Sequence, residues 1–113
     1  MKNYHLYAFT QNDCQPCARL RTYVSTLPKD AQLEVDFVPL KTADGSLTQL
    51  ATELGVELTP TLVVVHEDLE CDLDQDGDED CTNSESPVET IIGDKAIIDH
   101  LKATLNAYTY ATV

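Results

Sequence analysis

The amino-acid sequence predicts an α/β fold in which helices cover both faces of a mixed β-sheet. The length of 113 residues suits a single domain, 1–113, and 42% of the residues are apolar, which is enough for a hydrophobic core. Short β-branched segments alternate with segments whose apolar residues recur at helical spacing. The predicted order of elements is βαβαββα.

The first strand and the first helix are separated by a short polar loop. A mixture of aromatic and apolar residues predicts a strand at Tyr4–Thr10. From Pro16, which suits a first helical turn, the apolar residues recur at helical spacing, and Pro28 ends the helix. The predicted buried stripe consists of Cys17, Leu20, Val24 and Leu27.

A second strand and a second helix follow. We expect the strand at Leu33–Leu40, with Pro39 at its end. The spacing from Ser46 to Gln49 matches a capping box, and Gly55 is well placed to end the helix. The predicted buried face of this helix consists of Leu47, Leu50, Ala51 and Leu54.

The remaining regular elements are two strands and a final helix. The β-branched run Thr61–Val65 predicts a central strand that is covered on both faces. Val88–Ile92 predicts another strand, which Gly93 closes, and Asp94 can cap the helix that follows. The apolar stripe of that helix consists of Ile97, Ile98, Leu101, Leu105 and Tyr108.

The charge of the chain argues against two classes of partner. Twenty acidic and seven basic residues give a net charge of −13 with neutral histidines. Such a surface repels nucleic-acid phosphates and anionic lipids, and no apolar run approaches the ~20 residues of a membrane span. The first residues contain no apolar signal-peptide block. We therefore expect a cytoplasmic monomer that binds neither nucleic acid nor membrane.

Half of the acidic residues lie in one segment between Glu67 and Glu85, which contains ten carboxylates and no lysine or arginine. The rest of the chain is nearly balanced in charge. Because a run of like charges this dense cannot pack as core, it should lie in solvent. We predict an acidic loop at 67–87, inserted between the last two strands.

This acidic insert has the residue spacing of a calcium-binding loop. With Asp72 as position one, Gly77 falls at position six, where such a loop turns sharply, but Asn83 replaces the usual glutamate at position twelve. Calcium binding would be weak, on the order of 10⁻⁴–10⁻³ M. The alternative is a solvated acidic hairpin tip that only keeps the protein soluble. The candidate calcium ligands are Asp72, Asp74, Asp76, Asp78 and Asp80.

Two cysteines, Cys71 and Cys81, bracket these candidate ligands. A disulfide between them would close a short ring and stabilise the folded state by roughly 3 kcal/mol through the lost loop entropy. Two free thiols are the alternative, because a reducing cytoplasm makes such a disulfide labile.

The other two cysteines carry the strongest chemical signal, in the motif Cys14-Gln15-Pro16-Cys17 at the start of the first helix. A structural zinc site needs four ligands, commonly two close pairs, and the remaining cysteines are too widely spaced to form the second pair. At a helix N-terminus, Cys14 is favoured as a thiolate that attacks a disulfide, and Cys17 can then resolve the mixed disulfide. A pair of ordinary buried cysteines is the remaining alternative.

A second signal lies immediately before the most buried strand, where Thr59 precedes Pro60. A cis bond between them would expose the backbone of Thr59 to pair with an extended substrate. A trans proline that merely starts the strand is the alternative.

These features together resemble the thioredoxin superfamily from Tyr4 to about Tyr108, without the acidic insert. The resemblance rests on the strand–Cys-x-x-Cys–helix opening, the Gly55-Val56 turn, the Thr59-Pro60-Thr61 step and the later strand with Gly93. The short βαβαββα order is similar to that of glutaredoxins and small phage-encoded reductants.

The resemblance implies a nucleophilic Cys14, a resolving Cys17 and a cis Pro60 beside them. It also implies that Gln15, Pro16, Thr59 and Pro60 contact the substrate. Two positions depart from the family pattern: Ala8 replaces a buried aspartate, and Asp13 replaces a tryptophan. A carboxylate beside Cys14 opposes thiolate formation.

The leading hypothesis is therefore a thiol–disulfide oxidoreductase that reduces protein disulfides. The resemblance implies ribonucleotide reductase as one candidate substrate, thioredoxin reductase or glutathione as the electron donor, and no required cofactor. The alternative is a calcium-responsive binding module on a thioredoxin-like scaffold with little or no redox turnover.

Overall fold

A computed structural model of the chain describes residues 4–73, 77, 79–109 and 111, with the backbone alone described at 68–73 and 79–84. The regular elements of these residues are four strands and four helices, in the order βααβαββα. Their bounds are β1 (Tyr4–Thr10), α1 (Gln15–Ser25), α2 (Lys29–Glu34), β2 (Val35–Pro39), α3 (Gln49–Leu54), β3 (Thr61–Leu73), β4 (Glu79–Ile92) and α4 (Asp94–Tyr108). Within the described residues, no helix combines the length and the apolar character that crossing a membrane requires.

The strands form one mixed sheet in the order β2-β1-β3-β4. Strand β1 runs parallel to β2 and antiparallel to β3, and β3 runs antiparallel to β4. Helical connections join the parallel pair, as parallel strands require. The predicted α/β class with a mixed sheet flanked by helices is confirmed.

The core divides into two clusters, one on each face of the sheet. Because side chains alternate along a strand, Leu6 and Ala8 lie in one cluster and Phe9 lies in the other. The first cluster packs against α1 and α4, and the second packs against α3. The segment Leu62–Val65 of β3 is fully buried, which confirms the predicted central strand.

The start of the second strand was predicted too early. Leu33 lies in α2 and is 75% exposed, and the strand itself begins at Val35. The preceding helix α1 already ends at Ser25, and Pro28 is the N-cap of α2. The six residues of α2 are mostly good helix formers, and its Ala31 is buried against the first cluster.

The capping box at Ser46 is also wrong. The N-cap of α3 is Thr48, whose hydroxyl accepts a hydrogen bond from the Ala51 N–H at 3.3 Å. A bond from the Thr48 N–H to the Leu40 carbonyl, 2.9 Å, ties this residue to the end of β2. The helix ends at Gly55 in the left-handed conformation, as predicted.

The acidic insert is not a loop over most of its described backbone. Instead, β3 and β4 continue into it as a long antiparallel hairpin, and the pairing register sets Cys71 opposite Cys81 and Asp72 opposite Asp80. Strand pairing satisfies backbone N–H and C=O groups without needing apolar side chains, so charge density alone does not predict a loop.

The candidate calcium ligands are only partly covered by the described residues. Asp74, Asp76 and Asp78 lie outside them. Gly77 has φ of +83°, which is the left-handed region that a tight turn demands. Calcium binding and the Cys71–Cys81 disulfide stay predictions.

A polar network covers the first residues of β1 on the α3 face of the sheet. The two ring nitrogens of His5 lie 3.2 Å from Asp36 Oδ2 and 3.7 Å from Glu67 Oε1. The Tyr7 hydroxyl donates to the Glu85 carboxylate at 2.9 Å. Burial, together with this carboxylate, raises the pKa of Tyr7 well above its usual value.

Candidate active site

The Cys14-Gln15-Pro16-Cys17 motif spans the start of α1. Cys14 is the N-cap, with extended backbone, and its sulfur accepts a hydrogen bond from the Cys17 N–H at 3.2 Å. Pro16 lies in the first turn, where a missing N–H leaves no helical bond unmade. Cys14 and Cys17 form a disulfide, with their Cα atoms 5.2 Å apart. The motif therefore begins a helix, as predicted.

The two cysteines differ in their access to solvent. Cys14 is partly exposed, whereas Cys17 is fully buried on the inner side of α1. Gln15, between them, is exposed. This asymmetry is what the predicted roles need, because an attacking thiolate must reach a substrate and a resolving thiol need only reach its neighbour.

The Thr59–Pro60 peptide bond is cis, as predicted. Pro60 is buried and Thr59 is partly exposed. The Pro60 carbonyl accepts a hydrogen bond from the Gly93 N–H at 2.9 Å, which ties this loop to the turn before α4. The loop lies against the disulfide, because the Thr59 hydroxyl contacts Cys14 Sγ although the two residues are 45 positions apart in the sequence.

A chain of polar contacts joins Gln11, Thr59 and Cys14. Gln11 Nε2 donates to the Thr59 hydroxyl oxygen at 3.0 Å, and that oxygen lies 3.7 Å from Cys14 Sγ. Because the hydroxyl oxygen accepts from Gln11, its own proton is free to point toward the sulfur. Gln11 was not identified from the sequence, where a glutamine in a polar loop carries no signal.

Asp13 and the start of α1 have opposite effects on a Cys14 thiolate. Asp13 immediately precedes Cys14 and takes φ of +59°, a conformation in which aspartate is enriched. Its carboxylate disfavours a thiolate, whereas the N-terminus of α1 and the Cys17 N–H favour one. Ala8, at the position of the aspartate that the resemblance implies, is fully buried among apolar side chains.

An ion pair holds α1 against α4 beside the motif. Arg19 Nε donates to Asp94 Oδ2 at 2.7 Å. This hydrogen bond from Arg19 holds the pKa of Asp94 below its usual value. The prediction that Asp94 caps the last helix is wrong, because the N-cap is Gly93 and Asp94 is the first residue of α4. Its carboxylate instead binds Arg19 and so joins α4 to the helix that carries the cysteines.

An opening of about 460 Å³ lies beside Cys14. Gln11 and Asp13 line it on the loop side, and Gln15, Ala18 and Arg21 line it on the α1 side. Its walls place the partly exposed sulfur where an extended segment of another molecule can approach it.

The described residues contain no group of three or more His, Cys, Asp or Glu side chains placed to hold a metal ion. The zinc alternative and the calcium prediction therefore gain no candidate cluster from this part of the chain.

No family model and no curated protein matches the sequence. Solved thioredoxin structures match the fold. The thioredoxin Mala s 13 of Malassezia sympodialis is 18% identical, with 95% of this chain and 78% of that chain covered and a TM-score of 0.58.

Two further thioredoxins give the same result. Thioredoxin f2 of Chlamydomonas reinhardtii is 18% identical, with a TM-score of 0.57 over 99% of this chain and 84% of that one. The thioredoxin of Fasciola hepatica is 21% identical, with a TM-score of 0.57 over 96% of this chain and 83% of that one. The chain therefore has the thioredoxin fold, with a Cys-x-x-Cys disulfide at the N-terminus of its first helix.

Proposed function

We propose that this protein is a thiol–disulfide oxidoreductase that reduces disulfides in protein substrates. The observation that carries the proposal is the pairing of a partly exposed Cys14 at a helix N-terminus with a fully buried Cys17, next to the cis Thr59–Pro60 step. Each element of this arrangement has a chemical task in disulfide exchange.

The first step is attack by the Cys14 thiolate on one sulfur of the substrate disulfide. A bond forms between Cys14 and that sulfur, the substrate disulfide breaks, and the other substrate sulfur leaves as a thiolate that takes a proton from water. The Cys17 N–H and the Thr59 hydroxyl lie 3.2 and 3.7 Å from Cys14 Sγ, where both can donate to the attacking thiolate.

The second step resolves the mixed disulfide. Cys17 loses its proton and attacks Cys14 Sγ, which releases the second substrate sulfur and closes the Cys14–Cys17 disulfide found in the structure. Two electrons have then passed from the protein to the substrate. Because Ala8 offers no proton acceptor, we expect the Cys17 proton to leave to solvent or to the departing substrate thiolate.

The substrate would lie along the loop that contains the cis bond. The described residues make no backbone hydrogen bond to Thr59, so its N–H and C=O groups can pair with an extended chain. Leu58 is 59% exposed and Ile92 is 57% exposed, which adds an apolar rim to this surface. We propose that Gln15 and Pro16 contact the substrate from the opposite side.

Electrons must return to the oxidised pair from an external thiol donor. We propose thioredoxin reductase or glutathione for this step, and disulfide-containing proteins such as ribonucleotide reductase as substrates, all on the basis of the resemblance. No cofactor is needed within the chain for this chemistry. A reducing compartment, for which we propose the cytoplasm, suits a protein that acts as a reductant.

Reduction of insulin disulfides with dithiothreitol as the electron donor tests the proposal. We expect the wild-type protein to accelerate insulin precipitation and Cys14→Ser to abolish the effect. Thr22→Ala is a suitable control, because the Thr22 hydroxyl bonds only to a backbone carbonyl on the exposed side of α1. An inactive wild-type protein with several reductants would instead favour the calcium-responsive binding module.

A further inference from the structure

A second opening, which we call the Arg21 pocket, adjoins the opening at Cys14. Its volume is about 350 Å³, and its walls include Thr10, Arg21, Phe37, Pro39 and Lys41. Because β1 and β2 run parallel, both strands deliver their carboxyl ends here. The carboxyl edge of parallel strands is where α/β proteins commonly bind ligands.

The guanidinium group of Arg21 is held in this pocket by two contacts. Its Nη2 donates to the Thr10 hydroxyl at 2.7 Å, and Thr10 is only 2% exposed. The guanidinium carbon also lies 5.7 Å from the centre of the Phe37 ring. Because arginine has five N–H donors, these contacts orient the group and leave most of its donors for a ligand.

The pocket concentrates positive charge in a strongly acidic protein. Arg21 and Lys41 are two of only seven basic residues, and no acidic residue is among the described residues that line the pocket. Within the described part of the chain, neither takes part in an ion pair, whereas Arg19 on the same helix is paired with Asp94.

The Asp44 carboxylate, in the turn that follows Lys41, is hydrogen-bonded within that turn. Asp44 accepts hydrogen bonds from the Thr42 hydroxyl and from the Ser46 N–H, the second at 3.0 Å. These hydrogen bonds hold the pKa of Asp44 below its usual value, so the carboxylate is charged but already bonded. Lys41 is fixed by a β-bridge to Leu47, which keeps it at the rim of the pocket.

The Arg21 pocket is continuous with the surface at the reactive cysteine. Gln11, Asn12 and Arg21 line both openings. Arg21 follows Cys14 by seven positions, which corresponds to about 10 Å along the axis of α1. An extended polypeptide covers that distance in about three residues.

We infer that the Arg21 pocket binds a carboxylate side chain of an acidic protein substrate, about three residues from the disulfide that Cys14 attacks. The inference rests on the proposed reductase function and names the class of substrate that the site selects. A planar guanidinium matches a carboxylate in a two-pronged hydrogen bond. The net charge of −13 repels acidic segments elsewhere, so attraction at this pocket fixes the position at which an acidic segment docks.

Matched disulfide peptides test this inference. One peptide carries a glutamate three residues before its cysteine and another three residues after it. The matched peptide carries glutamines at both positions. With reduced wild-type protein, we expect kcat/KM to be about fivefold higher for the glutamate peptide, which corresponds to about 1 kcal/mol. We expect Arg21→Gln combined with Lys41→Gln to remove this preference.

The controls separate the pocket from the overall charge of the protein. Lys29→Gln and Lys102→Gln, singly and combined, remove one or two positive charges outside the pocket and should keep the preference. Loss of the preference in these controls, no preference in the wild type, or its survival in the double pocket variant would overturn the inference. The inference would also be overturned if the substitutions at Arg21 and Lys41 changed kcat/KM only for glutathione disulfide and not for the peptides.

A binding measurement keeps this test apart from that of the reductase function. The same peptides, with serine in place of cysteine, are titrated into the oxidised protein while the backbone amide signals of residues 41–45 are followed. Tighter binding of the glutamate peptide without any turnover would refute the reductase function alone. Turnover with equal binding of both peptides would refute the Arg21 pocket alone.

Discussion

Replacement of Thr59 by valine removes a hydroxyl while keeping the shape of the side chain. In the structure this hydroxyl accepts from Gln11 at 3.0 Å and lies 3.7 Å from Cys14 Sγ. A hydrogen bond to a charged group contributes about 1.5–3 kcal/mol. Because the contact is long and Cys14 is partly exposed, we expect the Thr59 hydroxyl to stabilise the thiolate by about 1 kcal/mol, which is less than this range. The thiolate fraction of the reduced protein should therefore fall about fivefold at a pH where the thiol predominates.

The rate of alkylation by iodoacetamide, measured against pH on the reduced protein, reports this thiolate fraction. We expect Thr59→Val to react about fivefold more slowly below the midpoint of the pH curve, and Gln11→Ala to shift the rate in the same direction by less. Thr61→Val is the matched control, because the Thr61 hydroxyl donates to the Leu58 carbonyl at 2.7 Å. A Thr59→Val protein that reacts at the wild-type rate would refute the assigned hydrogen bond.

Three further predictions concern stability. Arg19→Gln should lower the free energy of unfolding at pH 7. This difference should vanish as the pH falls through the lowered pKa of Asp94, because the ion pair stabilises the folded state only while the Asp94 carboxylate is charged. Tyr7→Phe should be less stable than wild type below pH 10.0, and the difference should shrink as the pH rises further. The raised pKa of Tyr7 means that the folded state is favoured only while the hydroxyl is protonated. Urea titrations at several pH values check both, and unchanged differences across pH would contradict them. Millimolar calcium should shift backbone amide signals of residues 72–80 with saturation and raise Tm, whereas small, unsaturating drifts at every acidic residue would mean charge screening alone.

Local patterns in the sequence predicted the elements that chain-local physics controls. The cysteine motif followed by Pro16 marks a helix start, and Gly55 marks a helix end, because each depends only on backbone geometry within a turn. The β-branched run of β3 likewise identifies a central strand. These signals were sufficient for the fold class.

Other features depend on contacts that local patterns do not contain. Leu33 fits an alternating strand pattern, but it fits a short exposed helix equally well, and the structure contains the helix. Ser46 and Thr48 are both suitable N-cap residues, and the hydrogen bond from the Thr48 N–H to the carbonyl at the end of β2 selects Thr48.

Hydrogen bonds to residues of other segments hold Gln11 and Arg21 in the site. Gln11 donates to Thr59, and Arg21 donates to Thr10. The continuation of β3 and β4 through the predicted acidic loop was missed, because strand pairing, not composition, satisfies its backbone.

The assignment of Cys14 as nucleophile and Cys17 as resolving residue is tested most directly by trapping a mixed disulfide. The reduced Cys17→Ser protein is mixed with a disulfide peptide, quenched in acid and weighed by intact mass spectrometry. We predict a stable adduct of one peptide half on Cys14, with no adduct on Cys14→Ser under the same conditions, because attack is retained only in the first variant. An adduct on Cys14→Ser that requires Cys17, together with none on Cys17→Ser, would contradict the account.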